Sequence, residues 1–185
     1  MKRVIVFLMI IAILFSFGAC VKYDNNLDNY QSDVENNYAH WFMPELESLG
    51  NYTNIEYTCR KDESFFAEYS MQLVVEYDED AFVTEKARLE TAYEYLDKPL
   101  RTEYGEAGYY TIPVEKFSYA GFEFRVVKFD DTFYPKYFGI LGICEEKQQV
   151  AYLWVYAIDL DYICELDEDP LEAMKEKMEL WFDFE

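Results

Sequence analysis

The reactive side chains of this 185-residue chain are four cysteines, a single histidine and 37 carboxylates, and their spacing decides what chemistry they could do. His40 sits between Ala39 and Trp41. A thiol nucleophile would need that imidazole as its base, so Cys59, Cys144 or Cys164 would have to meet it in space. With so many acids, carboxylate pairs arise by chance and single out no acid–base couple. The nearest approach to a metal motif is Asp24, Asn26, Asp28 and Glu35, oxygen ligands at the first, third, fifth and twelfth places of an EF-hand-like loop. Asn29 stands where the tight turn of such a loop needs glycine, so capping of the following helix is the better reading. No phosphate-cradling glycine loop, zinc-spaced cluster or nucleophile elbow occurs. The expectation is therefore no catalytic residue, no metal ligand and no cofactor. A carboxylate-based hydrolase of wall material and a Ca²⁺-binding module stand as alternatives to a binding protein.

Recognition has better candidates than catalysis. The run Asp130-Asp131-Thr132-Phe133-Tyr134-Pro135-Lys136-Tyr137 and the run from Tyr104 to Tyr110 set rings beside turn residues, where helices and strands bury them with difficulty. Phe133, Tyr134, Tyr137, Tyr104 and Tyr109 are the expected binding residues, because rings stack on sugars or peptide side chains.

The fourth cysteine is of a different kind. Met1-Lys2-Arg3 is a short basic head, Val4 to Phe17 is almost unbroken apolar sequence, and Gly18 and Ala19 lead into Cys20. That is the order of a secretory signal, and the apolar run falls short of the roughly 20 residues a bilayer span needs. Phe17-Gly18-Ala19-Cys20 resembles the lipobox of bacterial lipoproteins, with Phe17 where leucine is usual. The resemblance implies that residues 1–19 are removed as a signal peptide, that the Cys20 thiol carries diacylglycerol, and that the chain is lipid-anchored on the extracytoplasmic face of a bacterial cell membrane. The bilayer is then one partner through acylated Cys20, and more than one acyl chain makes such an anchor stable. Residues 20–26 read as the lipidated N-terminus and a polar leash reaching about 20 Å at roughly 3.3 Å per residue. Three cysteines then remain, an odd number for an exported chain. A Cys144–Cys164 bridge is opposed by the length of strand between them, leaving Cys59 paired with either, or three buried thiols.

Loss of Lys2 and Arg3 with the signal takes the formal charge from −21 to −23. Such a surface repels nucleic acid, so none is expected as a partner, and it attracts a cationic protein or peptide. A glycan partner rests on the rings instead. Eighteen tyrosines and fifteen phenylalanines exceed what one core needs, so part of them should reach the surface.

These residues must be held by elements that the hydrophobic periods outline. Leu27, Tyr30, Val34, Tyr38 and Trp41 share one helical face that Pro44 should end near Phe42, with a further turn between Glu45 and Leu49. Ile55 to Cys59 and Phe65 to Tyr77 alternate around a charged turn, a hairpin with one wet face. Phe82, Leu89, Tyr93 and Leu96 stripe a second helix behind the acids Asp78-Glu79-Asp80. Strands are expected near Tyr109 to Phe117, with Pro113 on an edge, then Gly121 to Phe129, Tyr137 to Cys144, and Val150 to Ile158, the last covered on both faces. Asp169, Pro170 and Glu172 start a final helix with Leu171, Met174, Met178 and Trp181 inward. The fold expected over residues 27–185 is a single α+β domain with an antiparallel sheet of about six strands and three helices packed on it, in an order compatible with two β-β-α halves.

Overall fold

The computed structural model describes residues 21–62, 68–97, 112–128, 137–157 and 169–184. Seven strands form one antiparallel sheet: β1 (Val21–Asp24), β2 (Tyr52–Asp62), β3 (Glu68–Tyr77), β4 (Phe117–Tyr119), β5 (Phe122–Val126), β6 (Tyr137–Cys144) and β7 (Gln149–Ala157). Their order across the sheet is β1-β2-β3-β7-β6-β5-β4. Three helices, α1 (Tyr30–Asn36), α2 (Glu79–Ala92) and α3 (Pro170–Trp181), complete the expected α+β architecture. No helix among the described residues is long and apolar enough to cross a membrane.

Each face of the sheet has its own core. On one, which we term face A, Tyr57, Cys59, Met71, Leu73, Tyr152 and Trp154 lie beneath Tyr30, Val34, Phe42, Phe82 and Leu89, from α1, its following loop and α2. On face B, Phe124, Phe138, Ile140, Leu153 and Val155 pack on Met174, Met178 and Trp181 of α3. The expectation for Val150 to Ile158 holds from Val150 through Val155, all buried at the centre of the sheet, while Tyr156 is half-buried. The hairpin does not have its one wet face: Ser70, Gln72 and Val74 of β3 are buried as well. Their small or hydrogen-bonding side chains read as polar alternation, yet Ser70 Oγ donates to the Trp181 carbonyl (2.6 Å) and Gln72 Nε2 to that of Asp183 (2.8 Å).

Other elements are shorter than their periods suggest. α1 stops at Asn36, because Tyr38 takes a left-handed backbone (φ 57°) and turns the chain. α2 ends at Ala92, and Tyr93 is extended. The stretch 112–116, Pro113 included, is not strand. α3 begins as expected, with the Asp169 carboxylate accepting from Leu171 N, while Glu172 pairs with Lys175. Val21–Asp24, read as part of a leash, instead pairs with β2 from Val21–Asp62 to Asp24–Cys59. Its short alternating pattern covers a β2 edge that would otherwise leave backbone donors unpaired.

The chain does run strand, strand, helix twice, as β2-β3-α2 and β6-β7-α3. Because β3 and β7 are antiparallel neighbours, a two-fold relating the halves would stand perpendicular to the sheet and keep both helices on one face. They lie on opposite faces, so the order recurs without the symmetry.

Two glycines let rings sit directly on the backbone. A Cβ on Gly142 would fall 2.2 Å from the Phe124 ring, and one on Gly139 2.7 Å from Phe42. Phenylalanines fill both cores, whereas several tyrosines meet near one end of the sheet.

Candidate functional site

The antiparallel register sets Tyr69 of β3, Tyr156 of β7 and Tyr137 of β6 side by side. Side chains of directly paired residues point to the same face, and here that is face A. The Tyr137 and Tyr156 rings stack at 6.3 Å and 12°, and Tyr69 approaches Tyr156 at 5.9 Å. Two further rings come down from the loop after α1. Tyr38, 60% exposed, lies 6.4 Å from Tyr156, while Trp41, 37% exposed, meets the buried Trp154 edge-on at 4.9 Å. These rings form a stepped terrace at the end of the sheet where β1 begins.

The backbone that presents Tyr38 is held against its own preference. A left-handed conformation costs a residue with a Cβ roughly 1–2 kcal/mol, and the structure fixes it from both sides. Trp154 Nε1 donates to the Asn37 carbonyl (3.0 Å), and Ala39 N to that of Val34 (2.9 Å). Phe42, seated on Gly139, backs Trp41 from below.

Beside the terrace, α1 is clamped to the sheet by Asp33. Its buried carboxylate accepts from Tyr57 Oη (2.8 Å) and from Lys61 Nζ (2.5 Å). Burial works against the Lys61 ammonium, but the hydrogen bond to Asp33 leaves its pKa above the ordinary value. α2 is clamped in the same way. Glu85 accepts from Tyr152 Oη (2.5 Å) and from two Arg88 nitrogens (2.6 and 2.8 Å). Burial alone would raise the Glu85 pKa, and the bonds from Arg88 and Tyr152 hold it below the ordinary range instead. A carboxylate so fully engaged is a fastener and a poor proton shuttle.

The opposite end of the sheet differs. There an open cleft of about 650 Å³ is lined by Gly50, Asn51, Tyr77, Thr84 and four acids, Asp78, Glu79, Asp80 and Glu85. Asp78 caps α2 by accepting from Ala81 N (2.8 Å). Exposed Glu145 and Glu146 stand at the same end, on the turn after β6. Lys86 pairs with Glu145, while no ion pair is recorded among the described residues for Asp78, Glu79, Asp80 or Glu146. Among the described residues at the terrace end several charges are paired: Arg60 lies 3.6 Å from both Asp62 and Glu68, Lys61 holds Asp33, and Lys128 faces Glu94.

Of the expected binding residues, Tyr137 belongs to the terrace; Phe133, Tyr134, Tyr104 and Tyr109 lie outside the described residues, as do Cys20 and Cys164. Cys59 and Cys144 are unpaired and buried on opposite faces. Burial, reinforced by Asp33, pushes the Cys59 thiol up to about 12, the reverse of an activated nucleophile. In the EF-hand-like run the side-chain oxygens of Asp24 and Asn26 are engaged locally. Asp24 accepts from Asn26 N and Asn29 Nδ2, and Asn26 accepts from Asp28 N.

Tyr38, Trp41, Tyr69 and Tyr156 were not singled out by sequence reasoning, which assigned the first two to the buried face of a longer helix. The pair Asn36-Asn37 was the available signal, since asparagine favours helix ends. Asp33 carried a fainter one, standing three residues after Tyr30 on the inward face. The chain matches no known protein family, no curated protein and no solved structure.

Proposed function

We propose that this chain is a lipid-anchored, extracytoplasmic and non-catalytic binding module of a bacterial cell membrane, whose end remote from the anchor takes a cationic protein or peptide. The observation that carries the reading is the segregation of character along the strands. Rings and paired charges occupy the end where β1 begins. Among the described residues, the exposed acids Asp78, Glu79 and Asp80 stand at the other end, around the cleft, without an ion pair, while Glu85 and Glu145 there are paired with Arg88 and Lys86. The signal-like Met1 to Ala19 and the lipobox resemblance at Cys20 support the anchor. The buried carboxylates Asp33 and Glu85 support binding over acid–base catalysis, because both are engaged in fastening helices to the sheet.

Calorimetric titration of a lysine-rich peptide into the protein tests the reading. Binding should weaken as salt rises, since opposite charges across an open surface are screened beyond about 10 Å at 0.1 M. Neutralising the first turn of α2 with Asp78→Asn, Glu79→Gln and Asp80→Asn should weaken it further, with circular dichroism confirming the fold. Binding indifferent to all three substitutions overturns the assignment of this end.

A further inference from the structure

Chain direction and ring placement carry one step more. Cys20 is joined to the first residue of β1 by a single peptide bond, a Cα-to-Cα step of about 3.8 Å. Lys22, Lys61, Tyr69, Tyr156 and Tyr137 occupy one continuous cross-strand row. The tyrosine row therefore lies level with a residue two places after Cys20, about 7 Å along an extended strand.

We propose that the terrace of Tyr38, Trp41, Tyr69, Tyr137 and Tyr156 is a footing in the headgroup layer of the bilayer that holds acylated Cys20. This rests on the anchor reading above and names what covers the terrace. With Val21 already in the sheet, no leash separates the domain from the lipid, so the end of the sheet bearing β1's first residue is the end nearest the bilayer. The headgroup layer is about 5–8 Å deep on each side of the hydrocarbon, which matches the distance from Cys20 to the tyrosine row. Tyrosine and tryptophan are the side chains that settle there, with ring toward the acyl chains and polar tip toward water. Among the described residues at this end, Arg60 is paired with Asp62 and Glu68, and Lys61 with Asp33, so these charges are matched where the terrace would meet lipid. The left-handed turn at Tyr38 fits the same role, since it points outward a ring that a continued helix would have turned into the core.

Trp41 is a built-in reporter, because Trp154 and Trp181 are 0% and 3% exposed and Trp41 is 37% exposed. The full chain, processed and lipidated in its host, is reconstituted into phosphatidylcholine vesicles brominated near the glycerol end of the acyl chains. Its emission is compared with that of Trp41→Phe, whose fold circular dichroism verifies. The footing requires that bromine remove the Trp41 emission and that the bilayer shield it from aqueous iodide. If mass spectrometry finds diacylglycerol on Cys20 while iodide quenches Trp41 and bromine does not, the anchor stands and the footing is overturned. A terrace built for a soluble peptide or glycan would give that result. An unmodified Cys20 overturns the anchor and the footing together.

Discussion

The two ends of the sheet solve opposite problems with the same residue types. At the terrace end the described carboxylates Asp33 and Glu68 are matched, Asp33 buried with Tyr57 and Lys61 and Glu68 facing Arg60. At the cleft end Glu79 and Asp80 stand in solvent at the positive end of α2, where the helix dipole favours them without a partner. Buried Asp33 and Glu85 are thus structural, while Glu79 and Asp80 in the first turn of α2 are available.

Substitution should expose that difference at once. Asp33→Ala leaves a half-buried Lys61 ammonium and the Tyr57 hydroxyl without their acceptor, and breaking a buried pair costs about 3 kcal/mol. Glu79→Gln removes an exposed charge and should stay within about 0.5 kcal/mol of the parent. Urea unfolding of the two variants measures the contrast, and equal costs would abolish it.

The Glu85 clamp gives the comparison a pH axis. Its carboxyl is held below the ordinary 4.5 by Arg88 and Tyr152 against the opposing effect of burial. A depressed folded-state pKa contributes stability that is complete above the unfolded value and is lost as pH falls through the folded one. Stability should therefore decline below about pH 4.5, and Glu85→Gln should flatten part of that decline while lowering stability at pH 7. Urea midpoints from pH 7 down to pH 3 read both effects. A decline equally steep in the variant would mean that the clamp contributes nothing.

A smaller effect separates stability from function at the terrace. Tyr38→Gly relieves the left-handed backbone and should stabilise the fold by up to about 1 kcal/mol, less whatever packing the ring contributes against Tyr156. The same change removes the most exposed terrace ring and should weaken contact with phosphatidylcholine vesicles. A variant with lower stability and unchanged vesicle contact would reassign Tyr38 to the core.

Long, strongly patterned elements were legible in the sequence. β6, β7 and α3 follow from unbroken apolar runs and from the Asp169-Pro170 start, whose signals are local. Local signals fail where a distant partner decides. Tyr38 and Trp41 continue the period of Tyr30 and Val34, yet the bond from Trp154 to the Asn37 carbonyl spans 117 residues, and a single-sequence period carries no trace of it. Val21–Asp24 looked like a leash because its edge-strand pairing depends on β2 needing a cover. The terrace was invisible for the same reason: Tyr69, Tyr137 and Tyr156 become neighbours only through the register of three strands. Of the site, the acidic character and Tyr137 could be read beforehand.

The proposed polarity of the molecule on a membrane is the claim on which the rest depends, and differential labelling in intact cells tests it most directly. Single substitutions Tyr38→Cys and Asp80→Cys place a thiol at each end, both at exposed positions, while Cys59 and Cys144 remain buried. With a membrane-impermeant maleimide, Asp80→Cys should react on the membrane as fast as in detergent, and Tyr38→Cys should be slowed on the membrane and recover in detergent. Equal labelling of the two positions on the membrane, or protection of Asp80→Cys in place of Tyr38→Cys, would contradict the account.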